Sequence, residues 1–262
     1  MQKMFVTSVL TAFAIALPIA QDSGVIIHDL ASAPFQSRTP GAAVQIKAVL
    51  TDDGSVGIAL ARGGVAQAPH RHGQEQVVLP LEAPMEFSTD GVTRRLEQYG
   101  AAIPPANAQH NYVTAAGGPA TFIEYQPVRR DDWMPPYPPN KSAQSPEPVP
   151  VPSGRVVTRD LSPHSDGWTT SGVARSKELV GDQIKIVMME LKGRGSIEVP
   201  AAAAGTQFVH VIVGNPTVAA GSLRRELAPH FVVEMKNAAR PIRLEPPRED
   251  SALIAIFSRI RK

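Results

Sequence analysis

Twenty-five prolines and 20 glycines punctuate this chain of 262 residues, about one position in six. A long helix does not survive that density, because each interior proline removes a hydrogen bond and clashes with the preceding turn. Short strands joined by turns do survive it. Ala43–Val49, Ser55–Leu60 and Gln183–Met188 alternate between apolar and polar side chains. Val77–Leu79, Met85–Phe87 and Thr121–Tyr125 are further strand candidates, and Phe208–Val213 and Leu253–Phe257 are near-continuous apolar runs. The pattern predicts an all-β chain of sandwiches or barrels, which two tandem jelly rolls satisfy.

Composition narrows the chemistry. With 43% hydrophobic and 19% charged residues, the chain has enough apolar material for a real core and is not disordered. A net charge of +2 is too small for a nucleic-acid footprint. The absence of cysteine excludes disulfides, Cys-ligated zinc, iron–sulfur clusters and a thiol nucleophile. No Ser/His/Asp triad, phosphate-cradling glycine loop or basic–aromatic interleaving stands out.

Two segments organise the chain. Residues 1–20 carry Lys3, the uncharged run Phe5–Leu17 and then Pro18-Ile19-Ala20 before polar Gln21, the pattern of a secretory signal peptide. The apolar run is shorter than the ~20 residues that span a bilayer. The expectation is export to the periplasm or the medium, with no membrane association once the leader is cut. Residues 134–153 form a proline-rich linker or surface strap, separating 21–133 from 154–262. An offset of 131 lays Gly64–Pro69 over Gly195–Pro200, Gln76 over Gln207, Phe87 over Val218 and Ala120–Ile123 over Ser251–Ile254. That common register argues for a duplicated domain.

The histidines supply the candidate chemistry. His70 and His72 lie two apart, so on an extended backbone both rings face one side, and Gln76 keeps that parity. His110 follows a turn at Pro104–Asn107. Three imidazoles and a side-chain oxygen suit a divalent metal, although a His-x-His pair by itself is common and reads more often as surface than as a ligand set. Tyr112 and Tyr125 read either as core residues or as proton relays.

Gly64, His70, His72 and Gln76, followed by Pro105-Ala106-Asn107-Ala108-Gln109-His110, resemble the two motifs of the cupin superfamily. Asn107 stands where the family has glycine, and asparagine tolerates a positive φ. The resemblance implies a double-stranded β-helix (jelly-roll) barrel holding one divalent transition metal (Fe, Mn, Ni, Zn or Co) on His70, His72, Gln76 and His110. In the second half Ala201, Ala203 and, by a looser alignment, Pro241 replace the histidines. The implied protein is a bicupin with one metal site and a degenerate second barrel.

Glutamine in the acidic position leaves the ion its full charge, which favours Lewis-acid isomerase, lyase or ring-opening chemistry on a small oxygen-rich acid. Metal-dependent dioxygenation and a non-catalytic ligand- or partner-binding barrel are the alternatives. Phe122–Trp133 is similar to the final-strand segment of cupins that open unsaturated uronates. In that comparison Tyr125 and Arg129 match, Ile123 takes the place of the acid, and Glu124 is expected to face away. Tyr125, Arg129 and Tyr112 are therefore the candidate catalytic residues: Arg129 to clamp a carboxylate, the tyrosines to relay a proton. The expected partner is a small-molecule substrate, with no nucleic acid, and the chain a monomer or homodimer.

Overall fold

The computed structural model describes residues 18–127 and 154–260, apart from 23, 38–43, 65, 68, 115–118, 237, 238 and 249. The expected linker at 134–153, residues 1–17 of the expected leader and Arg129 lie outside the described residues.

Strands β1 (Pro18–Asp22), β2 (Val25–Asp29), β3 (Gln36–Ser37), β4 (Val44–Leu50) and β5 (Ser55–Ala61) open the chain. They lead into β6 (Val77–Pro80), β7 (Met85–Thr89), β8 (Val92–Leu96), β9 (Gly100–Ile103), β10 (His110–Thr114) and β11 (Ala120–Gln126). The second half begins with β12 (Val157–Asp160), β13 (Thr169–Ser171), β14 (Ala174–Val180), β15 (Ile184–Leu191) and β16 (Ile197–Val199). It ends with β17 (Gln207–Val213), β18 (Thr217–Ala220), β19 (Leu223–Glu226), β20 (Phe231–Met235), β21 (Ile242–Glu245) and β22 (Ala252–Arg259). No helix occurs among the described residues, as the proline and glycine density demands.

The strands close two barrels of one design. A sheet ordered β12-β9-β6-β11-β5-β4-β3 packs on β10-β7-β8, and a sheet ordered β1-β2-β20-β17-β22-β15-β14-β13 packs on β16-β21-β18-β19. Apart from the edge strands β1 and β16 the orders coincide, so the chain is a tandem pair of double-stranded β-helix barrels. The offset of 131 slips by one residue between strands. Leu79 pairs with Ile123, which pairs with Ile58; His210 pairs with Ala255, which pairs with Met188. Ile123 therefore corresponds to Ala255 rather than to Ile254, and a gapless alignment is off by one on that strand.

The barrels exchange their first strands. β2, from the first half, pairs with β20, while β12, from the second half, pairs with β9. Each barrel is thus completed by the other covalent half. β1 pairs with β2, and the expected leader cut after Ala20 falls inside it.

Alternation on the large sheets sends one set of side chains into each barrel and the other set against the opposite barrel. Ile46, Ala48, Ala59, Phe87, Tyr112 and Phe122 fill the first barrel. Val209, Val233, Ile242, Leu244, Ile254 and Ile256 fill the second. Between the barrels, Leu79, Ile123 and Tyr125 of the first meet Ile186, Phe208 and Phe257 of the second in a shared core. Glu75 ties the halves further: its buried carboxylate accepts the backbone N–H groups of Asp182 (2.8 Å), Gln183 (2.7 Å) and Ile184 (3.2 Å). Asp53 does the same elsewhere: its Oδ2 accepts the N–H of Thr206 at 2.9 Å.

Candidate metal centre

The mouth of the first barrel is built by a bridge between two of the histidines. The N–H of His70 donates to the carbonyl of His110 at 3.0 Å, and the N–H of His110 returns the bond at 2.8 Å. A β-turn precedes His110, closed by the N–H of Ala108 on the carbonyl of Pro105 (3.2 Å). Asn107 takes a φ of 67° there, the left-handed conformation expected of it. Its N–H donates to the carbonyl of His72 at 2.7 Å, so the turn is tied to the backbone that carries the other two imidazoles.

The three rings converge. Their centroids lie 4.9 Å (His70–His72), 4.5 Å (His70–His110) and 5.3 Å (His72–His110) apart, and one nitrogen from each falls within 4.8 Å of the others. His110 Nδ1 donates to the carbonyl of Ala108 at 3.0 Å, which places the proton on Nδ1. Burial holds the ring pKa down at about 4, against the opposing hydrogen bond to Ala108. The ring is therefore neutral at pH 7, and its Nε2 lone pair points inward, 3.1 Å from Oε1 of buried Gln76. With three ring nitrogens converging and a side-chain amide within reach of one of them, the donor set fits a divalent transition metal. His70, His72, His110 and Gln76 are thus brought together.

The candidate catalytic residues divide differently. Tyr112 lies two residues beyond His110 on β10 and shares its inward face. Its hydroxyl donates to Glu124 Oε1 at 3.4 Å, and both side chains are buried. The Tyr112 ring meets Phe122 edge-on at 4.7 Å, and Phe87 lies 6.0 Å from His110. Glu124 sits opposite Gly57 on β5, where a Cβ would come within 2.9 Å of the Lys47 carbonyl oxygen and 3.0 Å of Ala48.

Sequence reasoning missed Glu124 and misplaced Tyr125, for one reason. Phe122 anchors β11 into the first barrel, so Glu124 points in, and Ile123 and Tyr125 point out to the shared core. Tyr125 stacks on Phe257 at 5.4 Å and lies 6.1 Å from Phe208, and burial pushes its hydroxyl pKa up. It is a residue of the inter-barrel core, not of the metal centre. Assigning Phe122, the bulkiest apolar residue of the strand, to the interior would have found Glu124.

The second barrel keeps none of this polarity. β18 pairs Val218 with Leu244 as β7 pairs Phe87 with Tyr112, so Leu244 replaces Tyr112 and Ile242, two residues earlier, replaces His110. Ile256 replaces Glu124 by the same correspondence that matches Ala255 to Ile123. Gln207, the counterpart of Gln76, donates instead to the carbonyl of Pro200 at 3.0 Å.

Fold and site together define a chain of two tandem double-stranded β-helix barrels with, among the described residues, one metal-competent histidine cluster. Solved structures of the same architecture include AerE from Microcystis aeruginosa, with a TM-score of 0.64 and 13% identity over 87% of this chain and 97% of that one. A point mutant of Bacillus subtilis oxalate decarboxylase OxdC matches with a TM-score of 0.66 and 10% identity, over 92% of this chain and 78% of that one. The E. coli protein Ylba matches with a TM-score of 0.67 and 10% identity over 94% and 95%. No protein-family model and no curated protein matches the sequence.

Proposed function

We propose that the chain is an exported metalloenzyme, an isomerase or lyase for a small oxygen-rich acid such as a sugar acid, with its one active site in the first barrel. The observation that carries this reading is the pairing, inside one barrel, of a neutral N/O donor set with a buried acid–phenol couple. A divalent ion on His70, His72, His110 and Gln76 would act as a Lewis acid toward a substrate oxygen. Glu124 is the proton acceptor and donor for the substrate, and Tyr112 holds the carboxylate through its Oε1. Phe87 and Phe122 exclude water around them. The second barrel supports the first through the exchanged strands and has no chemistry of its own.

Oxalate decarboxylase, a structural neighbour, acts by its name on a small carboxylic acid, which supports the substrate class. The burial of an acid–phenol couple in the barrel that carries the donor set also weighs against a purely ligand-binding barrel. The test is to load the full chain with Mn, Fe, Co, Ni or Zn in turn. Turnover of small sugar acids and dicarboxylates is then followed by NMR beside an oxygen electrode. Turnover without oxygen uptake is expected. Stoichiometric oxygen uptake would make the protein a dioxygenase, and no turnover with any metal would overturn the enzymatic reading.

A further inference from the structure

The inter-barrel core is nearly symmetric, and it departs from symmetry at one end in a way that calls for a ligand. Leu30 and Leu161 occupy equivalent, fully buried positions. Lys47 and Lys177 are also equivalent and buried, one pairing with Ile58 and the other with Met188. Lys177 is well served, donating to Ser165 Oγ at 2.8 Å and to the carbonyl of Asp166 at 2.5 Å. Lys47 donates to the carbonyl of Ala31 at 3.2 Å and lies 4.7 Å from the centre of the Phe35 ring.

The residues at the Lys47 end are polar where their counterparts are not. His210 stands in the position of Leu79, and His230 in that of Tyr99, which shares its positive φ (68° against 62°). His210 is fully buried, and neither of its ring nitrogens has a hydrogen-bond partner; Nδ1 of His230 also lacks one. The two rings stand perpendicular with centroids 5.9 Å apart, so they do not satisfy each other. A buried imidazole with both nitrogens unmatched is costly, and native structures fill such places with water or an ion.

Charge decides between those occupants. Lys47 and both imidazoles bring N–H donors to the same region, and the Lys47 charge acts on both rings. The Asp29 carboxylate is held by Ser32, through its N–H at 3.0 Å and its hydroxyl at 2.6 Å, and offsets part of the Lys47 charge. Glu234 is held by His28 at 2.8 Å, and Glu82, which acts on His230, is exposed to solvent. We infer that His210, His230 and Lys47 together form an internal binding site for a small monovalent anion such as a halide, bridging the two barrels. Neutral imidazoles serve it, because each still donates one N–H. The site is independent of the metal centre.

The experiment uses crystals of the full chain soaked in sodium bromide, with melting temperature measured in sodium chloride and in sodium gluconate at equal ionic strength and pH 7. The site predicts an anomalous bromide peak within hydrogen-bond distance of a His210 nitrogen. It also predicts a rise in Tm of roughly 3–5 °C when chloride reaches about ten times its Kd, with no such rise in gluconate. His210→Leu, which copies the first-half residue, should fold and lose both effects. His230→Tyr, the other counterpart, is the second variant and should weaken them. A water in place of bromide, equal Tm in the two salts, or an undiminished chloride effect in His210→Leu would overturn the proposal.

Discussion

The hydroxyl of Tyr112 donates to the Glu124 carboxylate at 3.4 Å, across the interior of the first barrel. The two residues come from different sheets, β10 and β11, and meet because each keeps the inward parity of its strand. That contact puts an acid inside the barrel that carries the histidine cluster, even though the acidic position of the first motif is filled by Gln76.

Glu124→Gln should keep the fold and the metal stoichiometry while lowering kcat by about 10²–10⁴, the range for losing a positioned acid–base group. Tyr112→Phe should lose less, because it removes the group that orients the carboxylate. Metal analysis alongside turnover checks both, and a Glu124→Gln protein with normal turnover would remove the residue from the mechanism.

Asn107 holds a φ of 67° and donates its N–H to the carbonyl of His72. Asn107→Gly should change stability by only a few tenths of a kcal/mol, whereas Asn107→Val should cost about 1–2 kcal/mol. The valine variant should also bind metal roughly tenfold more weakly, since the turn sets the approach of His110. Urea unfolding and competitive metal titration read the two effects.

The Glu75 carboxylate takes three backbone N–H groups from residues 182–184. Glu75→Ala leaves those donors unmet and should destabilise the chain by about 2–4 kcal/mol. Gly181→Ala should also destabilise, because a Cβ there would stand 2.6 Å from Glu75 Oε2. Chemical denaturation distinguishes this from an exposed carboxylate, whose removal would cost almost nothing.

Acid should loosen the inter-barrel core. Burial first, and then the charges of His230 and Lys47, lower the His210 pKa to about 3. His230 is lowered by burial and by Lys47, against Glu82. A depressed histidine takes its proton first in the unfolded chain, so its stabilising contribution is complete above about pH 6.5 and is lost as pH falls toward about 3. The loss approaches about 1.4 kcal/mol per pH unit for each such group. In gluconate buffer His210→Leu should show a flatter stability profile over that window, and coincident profiles would contradict the assignment.

Much of this was legible in the residues. Proline and glycine density set the all-β class, the common offset exposed the duplication, and the spacing of the histidines together with the family resemblance singled out His70, His72, Gln76 and His110 as candidates. What was not legible depended on pairing between distant strands. Nothing local to Val25–Asp29 says that it completes the barrel of the other half, because a strand's partner is chosen by the sheet edge it meets. Parity on β11 failed likewise: Phe122, Ile123 and Tyr125 are all apolar enough for either face, since both faces of that sheet are buried. Alternation therefore had no solvent side to reveal, and the strand pattern alone points to Tyr125 where the structure places Glu124.

The central claim is that one barrel holds a metal and the other does not. The direct measurement is elemental analysis of the untagged full chain after metal loading and exhaustive removal of excess, beside His72→Ala. About one equivalent of a divalent transition metal is expected in the wild type and none in the variant. Two equivalents, none, or an unchanged content in His72→Ala would contradict it.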